Sequence, residues 1–346
     1  MLTPRTKLVS FLFSIMICWQ VVAAEPVAVN PNHPDRYTVV PGDTLWDISG
    51  RFLRDPWRWP DVWHVNPQIA NPHLIYPGDI ITMTYGNGQP RLSLQRGSLV
   101  KLSPKIRSSA LSRAIPAIPI DAIRQFLTRP FVMDEGELEA APYIVYFGGE
   151  HITGANDIKA YVRAIENEDS KKWYIVRPGG PYKDADTDEV LGYEALYISD
   201  AELQRTGDPA TLMISNNEME SLIGDRLLPV STDVPISAFF PKIPDIRING
   251  SIISVLNGVT QIGQYNVVVI DKGAQNGLEV GDVLTINNKG RTVRDVVSPD
   301  WRDTVTLPDE PAGTLMVFRT FPRVSFGLVM DATKAIHKFD RVYSVK

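Results

Sequence analysis

Cysteine is almost absent from this chain. Of its 346 residues only Cys18 is a cysteine, and it lies inside the first apolar run. Without a second cysteine there is no internal disulfide, and removal of the N-terminal run would also exclude a thiolate metal site and a cysteine nucleophile. A chain of this length can bury enough apolar surface to fold without disulfides. We therefore expect a hydrophobic core to hold the fold together.

An excess of basic charge is also missing. Lysine and arginine total 35 against 40 aspartates and glutamates, which gives a formal net charge of -5. Nucleic-acid binding normally requires a basic face, so we expect no nucleic-acid partner. Beyond the N-terminal run no stretch is apolar enough to cross a bilayer, which requires about 20 residues. We therefore expect no stable membrane span in the mature chain.

The N-terminus has the pattern of a secretory signal peptide. Arg5 and Lys7 precede an apolar run over residues 8–22, and small residues end at Ala24. The run is short for a membrane anchor, which favours cleavage after Ala24 over an uncleaved anchor. Ile17 precedes Cys18, where a lipoprotein signal needs a small residue. We predict a cleaved signal peptide over residues 1–24 and no lipid attachment.

The remaining chain divides by composition. Residues 25–35 are rich in proline and asparagine and predict an extended linker. From residue 143 onward, short β-branched and aromatic runs are bounded by Gly, Pro, Asp or Asn, which is typical of strands. The predicted units are the linker 25–35, a compact module 36–85, a connecting region 86–142 with short strands and a helix, and β-rich domains at 143–230 and 231–346.

Two helices and one repeat are predicted outside the compact module. Asp121 can cap a short helix through Leu127, and residues 156–167 have the spacing of a second helix. The acidic run at residues 134–140 fits a solvated loop better than a pair of glycosidase carboxylates. The segments "LIGDRLLPV", "EVGDVLTIN" and "KFDRVYSVK" share a turn, an aspartate and a strand. This echo predicts two related β units, roughly residues 143–230 and 245–346.

The compact module lies between two Pro-Gly-Asp triplets at residues 41–43 and 77–79. A β run precedes the first triplet, and another follows the second. Between them, Leu45, Ile48 and Phe52 lie on one face of a predicted helix, and Pro60 opens a second helix. The predicted order is therefore strand, helix, helix, strand.

That order, with "YTVVPGDTLWDISGRF" at its start and "NPQIANPHLIYPGDIITM" at its end, resembles the LysM family. The resemblance implies a βααβ module, and hence an α+β chain with mainly β domains after it. It also implies binding of N-acetylglucosamine glycans, here peptidoglycan in a bacterial periplasm. The residues it places at the glycan are Gly42, Asp43, Thr44, Leu45, Asn66, Pro67, Ile69, Asn71, Leu74, Ile75, Tyr76 and Pro77.

These residues combine backbone hydrogen-bonding groups with an apolar wall. Loop N–H and C=O groups can bind an N-acetyl amide, while Leu45, Ile69 and Ile75 can face the methyl group and the sugar ring. Asp43 and Asp79 can equally serve only to form turns. Trp46 and Trp63 are predicted in the core. For Trp57 and Trp59, which lie in an insertion longer than a typical LysM module has, exposure is left open.

No catalytic pattern is evident in the rest of the chain. The five histidines show no paired metal-ligand spacing, and no G-x-S-x-G motif is present. We therefore expect a non-enzymatic periplasmic protein with no metal or cofactor, which binds peptidoglycan and presents β domains as a scaffold or as a surface for an envelope protein. The alternative is a LysM-targeted wall-modifying enzyme with an unrecognised catalytic domain.

Overall fold

The computed structural model describes most of the chain after the predicted signal peptide. The described residues are 26–63, 75–86, 88–96, 114–129, 132–166, 170–230, 239–256 and 261–345. The predicted signal peptide, with Cys18, lies outside them. Helix accounts for 13% and strand for 45% of the structure. The chain is α+β, as predicted, with its helices near the N-terminus and a strand-rich remainder.

The N-terminal module has the predicted element order. Its elements are β1 (Arg36–Thr38), α1 (Leu45–Phe52), a 3-10 turn (Pro56–Arg58), α2 (Trp59–Trp63), β2 (Ile80–Gly86) and β3 (Gln89–Gln95). The three strands form an antiparallel sheet with β2 in the middle. Strand β3 falls in the predicted connecting region, but it pairs with β2 along its whole length and so extends the sheet of the module.

Helix α1 is fixed by its cap and by its apolar face. The backbone N–H of Asp47 donates to Thr44 Oγ1 at 3.1 Å, which makes Thr44 the N-cap. The apolar face packs into a core that also contains Val62 and Ile81. Part of the predicted linker is bound to the end of this helix, because the N–H of Asn30 donates to the carbonyl of Phe52 at 2.9 Å.

The connecting region supplies α3 (Ile120–Thr128), β4 (Val132–Met133) and α4 (Glu135–Ala140). Helix α3 confirms the helix predicted over residues 121–127. The prediction of a loop for the acidic run was wrong, because that run forms α4. Glu137 at the third helical position accepts from the N–H of Asp134 at 3.4 Å, an interaction that favours a helix start. No residue of α4 is buried, so the acids face solvent as predicted.

Strands from residue 143 to residue 229 form the first of two β units. They are β5 (Tyr143–Phe147), β6 (Lys159–Arg163), β7 (Lys172–Lys183), β8 (Val190–Arg205), β9 (Ala210–Ser215) and β10 (Arg226–Pro229). They are hydrogen-bonded in the order β8-β7-β10-β5-β6-β9, and β9 also pairs with β8, which closes the ring. Strand β4 adds to the outer side of β8.

The helix predicted at residues 156–167 was wrong. Its centre is strand β6, in which Ala160 and Val162 are fully buried while Lys159 and Arg163 are exposed. This alternation has the period of a strand. The segment is held between β5 and β9, so sheet pairing and burial outweigh a short helical spacing.

Strands from residue 249 onward form the second β unit, a closed barrel. The barrel strands are β11 (Asn249–Leu256), β12 (Val267–Ile270), β13 (Val283–Asn288), β16 (Glu310–Thr320), β17 (Ser325–Ala332) and β18 (Arg341–Ser344). They close in the order β11-β12-β17-β16-β13-β18. Strands β14 (Thr292–Arg294) and β15 (Thr304–Thr306) pair only with each other, as a hairpin arm inserted between β13 and β16.

The two β units have the same strand pairing. When β5 to β10 are matched in chain order with β11, β12, β13, β16, β17 and β18, each antiparallel pair of the first ring has its counterpart in the second. The segments "LIGDRLLPV" and "KFDRVYSVK" carry the matched strands β10 and β18. For these two segments the echo in the sequence has a structural counterpart. The third segment, "EVGDVLTIN", carries β13, whose counterpart in the first unit is β7, so the echo is matched only in part.

One hydrophobic cluster joins all parts of the described chain. It contains Trp46 from α1, Phe126 from α3, Tyr197 from β8 and Phe326 from β17. The N-terminal module also contacts the second unit directly, since Tyr265 Oη donates to Asp47 Oδ1 at 3.0 Å. The module is thus packed against the β units through α1 and α3.

Candidate functional site

The two Pro-Gly-Asp triplets form identical turns. In the first, the N–H of Asp43 donates to the carbonyl of Val40 at 3.2 Å, and its carboxylate accepts from the N–H of Val40 at 2.8 Å. In the second, Asp79 and Tyr76 make the same pair of hydrogen bonds, at 3.0 Å each. Gly42 has a φ of 97° and Gly78 one of 96°, a conformation that glycine adopts at little cost.

Backbone pairing places these two turns side by side. The N–H of Val39 donates to the carbonyl of Asp79 at 2.9 Å, and the N–H of Gly78 donates to the carbonyl of Val39 at 2.8 Å. The residues after the first turn and before the second are thereby brought to one edge of the module. We call residues 42–45 the first lip and residues 75–77 the second lip.

The structure brings together those predicted site residues that it describes. Gly42 is exposed, Tyr76 and Pro77 are partly buried, and Asp43 and Thr44 are buried in their turn and cap. Leu45 and Ile75, predicted as part of the apolar wall, are 2% and 0% exposed. The predictions for Asn66, Pro67, Ile69, Asn71 and Leu74 lie outside the described residues.

A segment from the connecting region lies across both lips. We call residues 115–118 the covering segment. The N–H of Leu45 donates to the carbonyl of Pro116 at 3.0 Å, and the N–H of Ile115 donates to the carbonyl of Ile75 at 2.8 Å. Ile115 and Ala117 belong to the same hydrophobic cluster as Leu45 and Ile75. The covering segment thus contributes to the burial of Leu45 and Ile75.

The side chain of Asp43 is held inside the module. Besides the N–H of Val40, its carboxylate accepts from Tyr37 Oη at 3.0 Å. Burial raises the pKa of Tyr37, and the neighbouring Asp43 carboxylate raises it further. Both interactions keep the phenol protonated as a donor. In the described structure Asp43 therefore acts as a turn former, the alternative left open above.

Tryptophans of the insertion pack inward. Trp59 is 2% exposed and lies edge-on to Trp63, with ring centroids 6.5 Å apart, and its other neighbour is Phe240 at 6.0 Å. Trp57 is partly buried beside Trp46 at 6.3 Å. Trp46 and Trp63, predicted in the core, are 3% and 6% exposed. The insertion thus helps to join the module to the β units.

The covering segment was not anticipated from the sequence. Its run "AIPAIPI" at residues 114–120 is apolar and carries prolines at 116 and 119. Proline fixes φ and favours an extended conformation in the preceding residue, so an extended apolar strip was the available signal. Nothing in the local pattern says which surface such a strip covers.

Two further features of the described chain bear on its chemistry. Within the described ranges, no group of three or more His, Cys, Asp or Glu side chains is arranged to hold a metal ion. Among the helices that the structure describes, none is long and apolar enough to cross a membrane. What the lips offer is a set of backbone donors and acceptors beside an apolar wall, suited to a secondary amide that carries a methyl group.

Residues 37–84 match the family model described as "LysM domain". The chain carries a LysM domain. The match spans the strand–helix–helix–strand part of the module, with both Pro-Gly-Asp turns inside it. LysM domains are generally peptidoglycan- or N-acetylglucosamine-binding modules and occur in extracytoplasmic proteins. The lips are those that the resemblance assigned to the glycan.

A curated relative is similar to a short part of this chain. It is "Uncharacterized protein YqbP" from Bacillus subtilis (strain 168), 42% identical over 55 residues. The alignment covers 13% of this chain and 25% of that protein. The chain therefore spans about a quarter of the length of the relative that it matches.

Proposed function

We propose that this chain is a non-catalytic cell-envelope protein that binds peptidoglycan glycan through its LysM domain. Its β units serve as a scaffold or as a surface for an envelope protein. Secretion through a cleaved signal peptide over residues 1–24 would place it in the periplasm. This proposal is supported by the LysM match and by the basic, apolar and small-residue pattern of the N-terminus.

The juxtaposition of the two lips is the observation that carries the glycan-binding role. Leu45 provides a backbone donor, Ile75 a backbone acceptor, and both provide apolar side chains. An N-acetyl group can use all three: a donor for its C=O, an acceptor for its N–H and an apolar contact for its methyl group.

Binding of the full mature chain to purified peptidoglycan sacculi tests this role. The double variant Ile69→Ala, Asn71→Ala removes an apolar and a polar side chain that the resemblance places at the glycan. We expect it to lower binding about fivefold or more, the loss typical of a few contacts in a small site. Tyr85→Ala is the matched control, because Tyr85 is 64% exposed at the far end of β2. Absence of binding by the wild-type chain at low salt would contradict the proposal.

Exposed apolar residues on the hairpin arm support the proposal that the second β unit binds a partner protein. Val296, Val297 and Trp301 at its end are 83%, 88% and 66% exposed. Adjacent large apolar side chains in solvent often mark an interaction site. Photo-crosslinking in cells from position 297 should capture an envelope protein, whereas position 188 in another exposed turn should not. Equal, unspecific labelling at both positions would count against the arm.

A further inference from the structure

The start of helix α1, at the end of the first lip, has two backbone donors that the helix cannot satisfy itself. The N–H groups in the first turn of a helix have no acceptor within that helix. The N–H of Asp47 uses the Thr44 side chain, at 3.1 Å. Leu45 and Trp46, the first two residues of α1, need acceptors from outside the helix.

The covering segment supplies both acceptors and one donor. Trp46 donates to the carbonyl of Ala117 at 3.1 Å, next to the bond from Leu45 to Pro116 at 3.0 Å. Across the groove, the N–H of Ile115 donates to the carbonyl of Ile75 at 2.8 Å. Residues 115–117 therefore bridge the two lips, with acceptors toward one and a donor toward the other.

These are the same kinds of group that an N-acetylglucosamine unit would present. An acetamido group is a secondary amide, like a peptide unit, with one N–H, one C=O and an apolar methyl. We infer that the covering segment occupies the glycan groove as an internal substitute for ligand, and that a glycan binds only after displacing it. This inference rests on the proposed function of the groove.

The segment is built to remain in place. Ile115 and Ala117 are each 4% exposed, and Pro116 and Pro119 restrict the conformations that the free segment would gain on release. Ile118 is fully buried in the cluster that joins the module to the β units.

Helix α3 anchors the next part of the chain. The Arg319 guanidinium on β16 donates to the carbonyl of Phe126 at 2.9 Å. The segment is thus tethered beside the groove, where it competes at high effective concentration. The apparent affinity for glycan is therefore the affinity of the open groove multiplied by the fraction of molecules whose groove is open.

The test compares the full mature chain with Ile115→Asp, which places a carboxylate at a buried position of the segment. Ile115→Ser is a milder second variant. Ile152→Asp is the matched control, because Ile152 is 87% exposed. Two readouts are taken on each chain: amide hydrogen exchange at Leu45 and Trp46, and binding to purified sacculi. Protection of Val268 in β12 verifies folding.

In the wild type and in the control, we expect Leu45 and Trp46 to be protected from exchange. In the Ile115 variants the exchange of both amides should accelerate. Binding to sacculi should tighten by about tenfold or more, because the segment loses the burial of the Ile115 side chain and the groove opens more often. Val268 should remain protected. This combination supports both the occupied groove and its competition with glycan.

Two results would overturn the inference. One is free exchange of Leu45 and Trp46 in the wild type. The other is a wild type that binds sacculi measurably, together with an opened variant that binds them no more tightly. Failure of the proposed function gives a different pattern: protection in the wild type, its loss in the variants, and no sacculus binding by any chain. That pattern retains the occupied groove and rejects glycan as its competitor.

Discussion

Individual side chains of the LysM region divide into those that shape it and those that could meet a ligand. Residue type alone does not make this division. Trp59 and Trp301 are the same residue, yet one is 2% and the other 66% exposed. A tryptophan between two prolines gives no local sign of its burial, so the sequence left it open. One of its ring contacts, from Trp59 to Phe240, spans 181 positions in the chain.

Replacing Trp59 by alanine should destabilise the chain by about 3–5 kcal/mol, because a large buried side chain leaves a cavity. Replacing Trp301, the matched control, should change stability by less than about 0.5 kcal/mol. Urea unfolding followed by circular dichroism measures both. Equal effects of the two substitutions would contradict the burial described.

For Asp43, a structural role predicts a loss of stability on substitution. Asp43→Ala removes the acceptor of the Val40 N–H in the turn and of the Tyr37 hydroxyl in β1. We expect a loss of about 1–3 kcal/mol. Asp61→Ala, at a side chain that is 51% exposed, should cost less than about 1 kcal/mol. Unchanged stability with weakened glycan binding would instead make Asp43 a ligand contact.

At the scale of elements, turns and the LysM helices were the most predictable features. The Pro-Gly-Asp triplet restricts the turn conformation. The glycine takes a positive φ, and the aspartate carboxylate accepts a hydrogen bond from the backbone N–H three residues before it. Outside the LysM region the same bond recurs from Leu222 to Asp225 and from Glu279 to Asp282, at 2.8 Å each. Strand β6 was missed because a short apolar spacing fits both helix and strand, and only its two neighbours in the sheet decide.

The turn between β7 and β8 contacts the second β unit through ion pairs. Asp184 receives Lys272 Nζ at 3.2 Å, and Asp186 receives Arg341 at 2.7 Å. Burial acts to raise the pKa of Asp184, but hydrogen bonds from the N–H groups of Asp186 and Thr187, together with Lys272, outweigh it and lower the pKa to about 2. The pKa of Asp186 is also lowered, chiefly by its hydrogen bond to Arg341.

Because the pKa of Asp184 is depressed in the folded chain, its contribution to stability is fully present above its ordinary value near 4. It should disappear as pH falls from about 4 to about 2. In Asp184→Asn, stability at pH 5 should be lower by about 1–2 kcal/mol and should depend less on pH in this window. Asp188→Asn, in the same turn and 83% exposed, should retain the wild-type curve. Identical pH profiles for wild type and Asp184→Asn would contradict this.

The whole molecule consists of a LysM module packed on two β units with equal strand pairing. The sequence predicted the α+β class and the module, because short-range motifs specify them. It also contained an echo between the units. Closure of the rings could not be read from it, since this depends on pairs such as Asn249 with Tyr343 at opposite ends of the second unit. For the same reason the covering segment over the groove was missed.

Docking of the module on the second unit includes a polar contact from Tyr265 Oη to Asp47 Oδ1, at 3.0 Å. Burial, with Asp47 adding to it, raises the pKa of Tyr265 to about 12, so the phenol remains a donor at neutral pH. Tyr265→Phe should weaken docking by about 0.5–1.5 kcal/mol. Faster exchange of the α1 amides would report this, and Tyr146→Phe, at an exposed position, should leave them unchanged. Unaltered exchange in Tyr265→Phe would show that the contact does not hold the module.

The most direct test of the central claim, that the LysM lips bind glycan, is an amide chemical-shift titration of the full mature chain with soluble N-acetylglucosamine oligomers. The account predicts that the largest shifts lie at residues 42–45 and 75–77, with further shifts at the covering segment as it is displaced. No shifts at saturating oligomer, or shifts confined to the two β units, would contradict it.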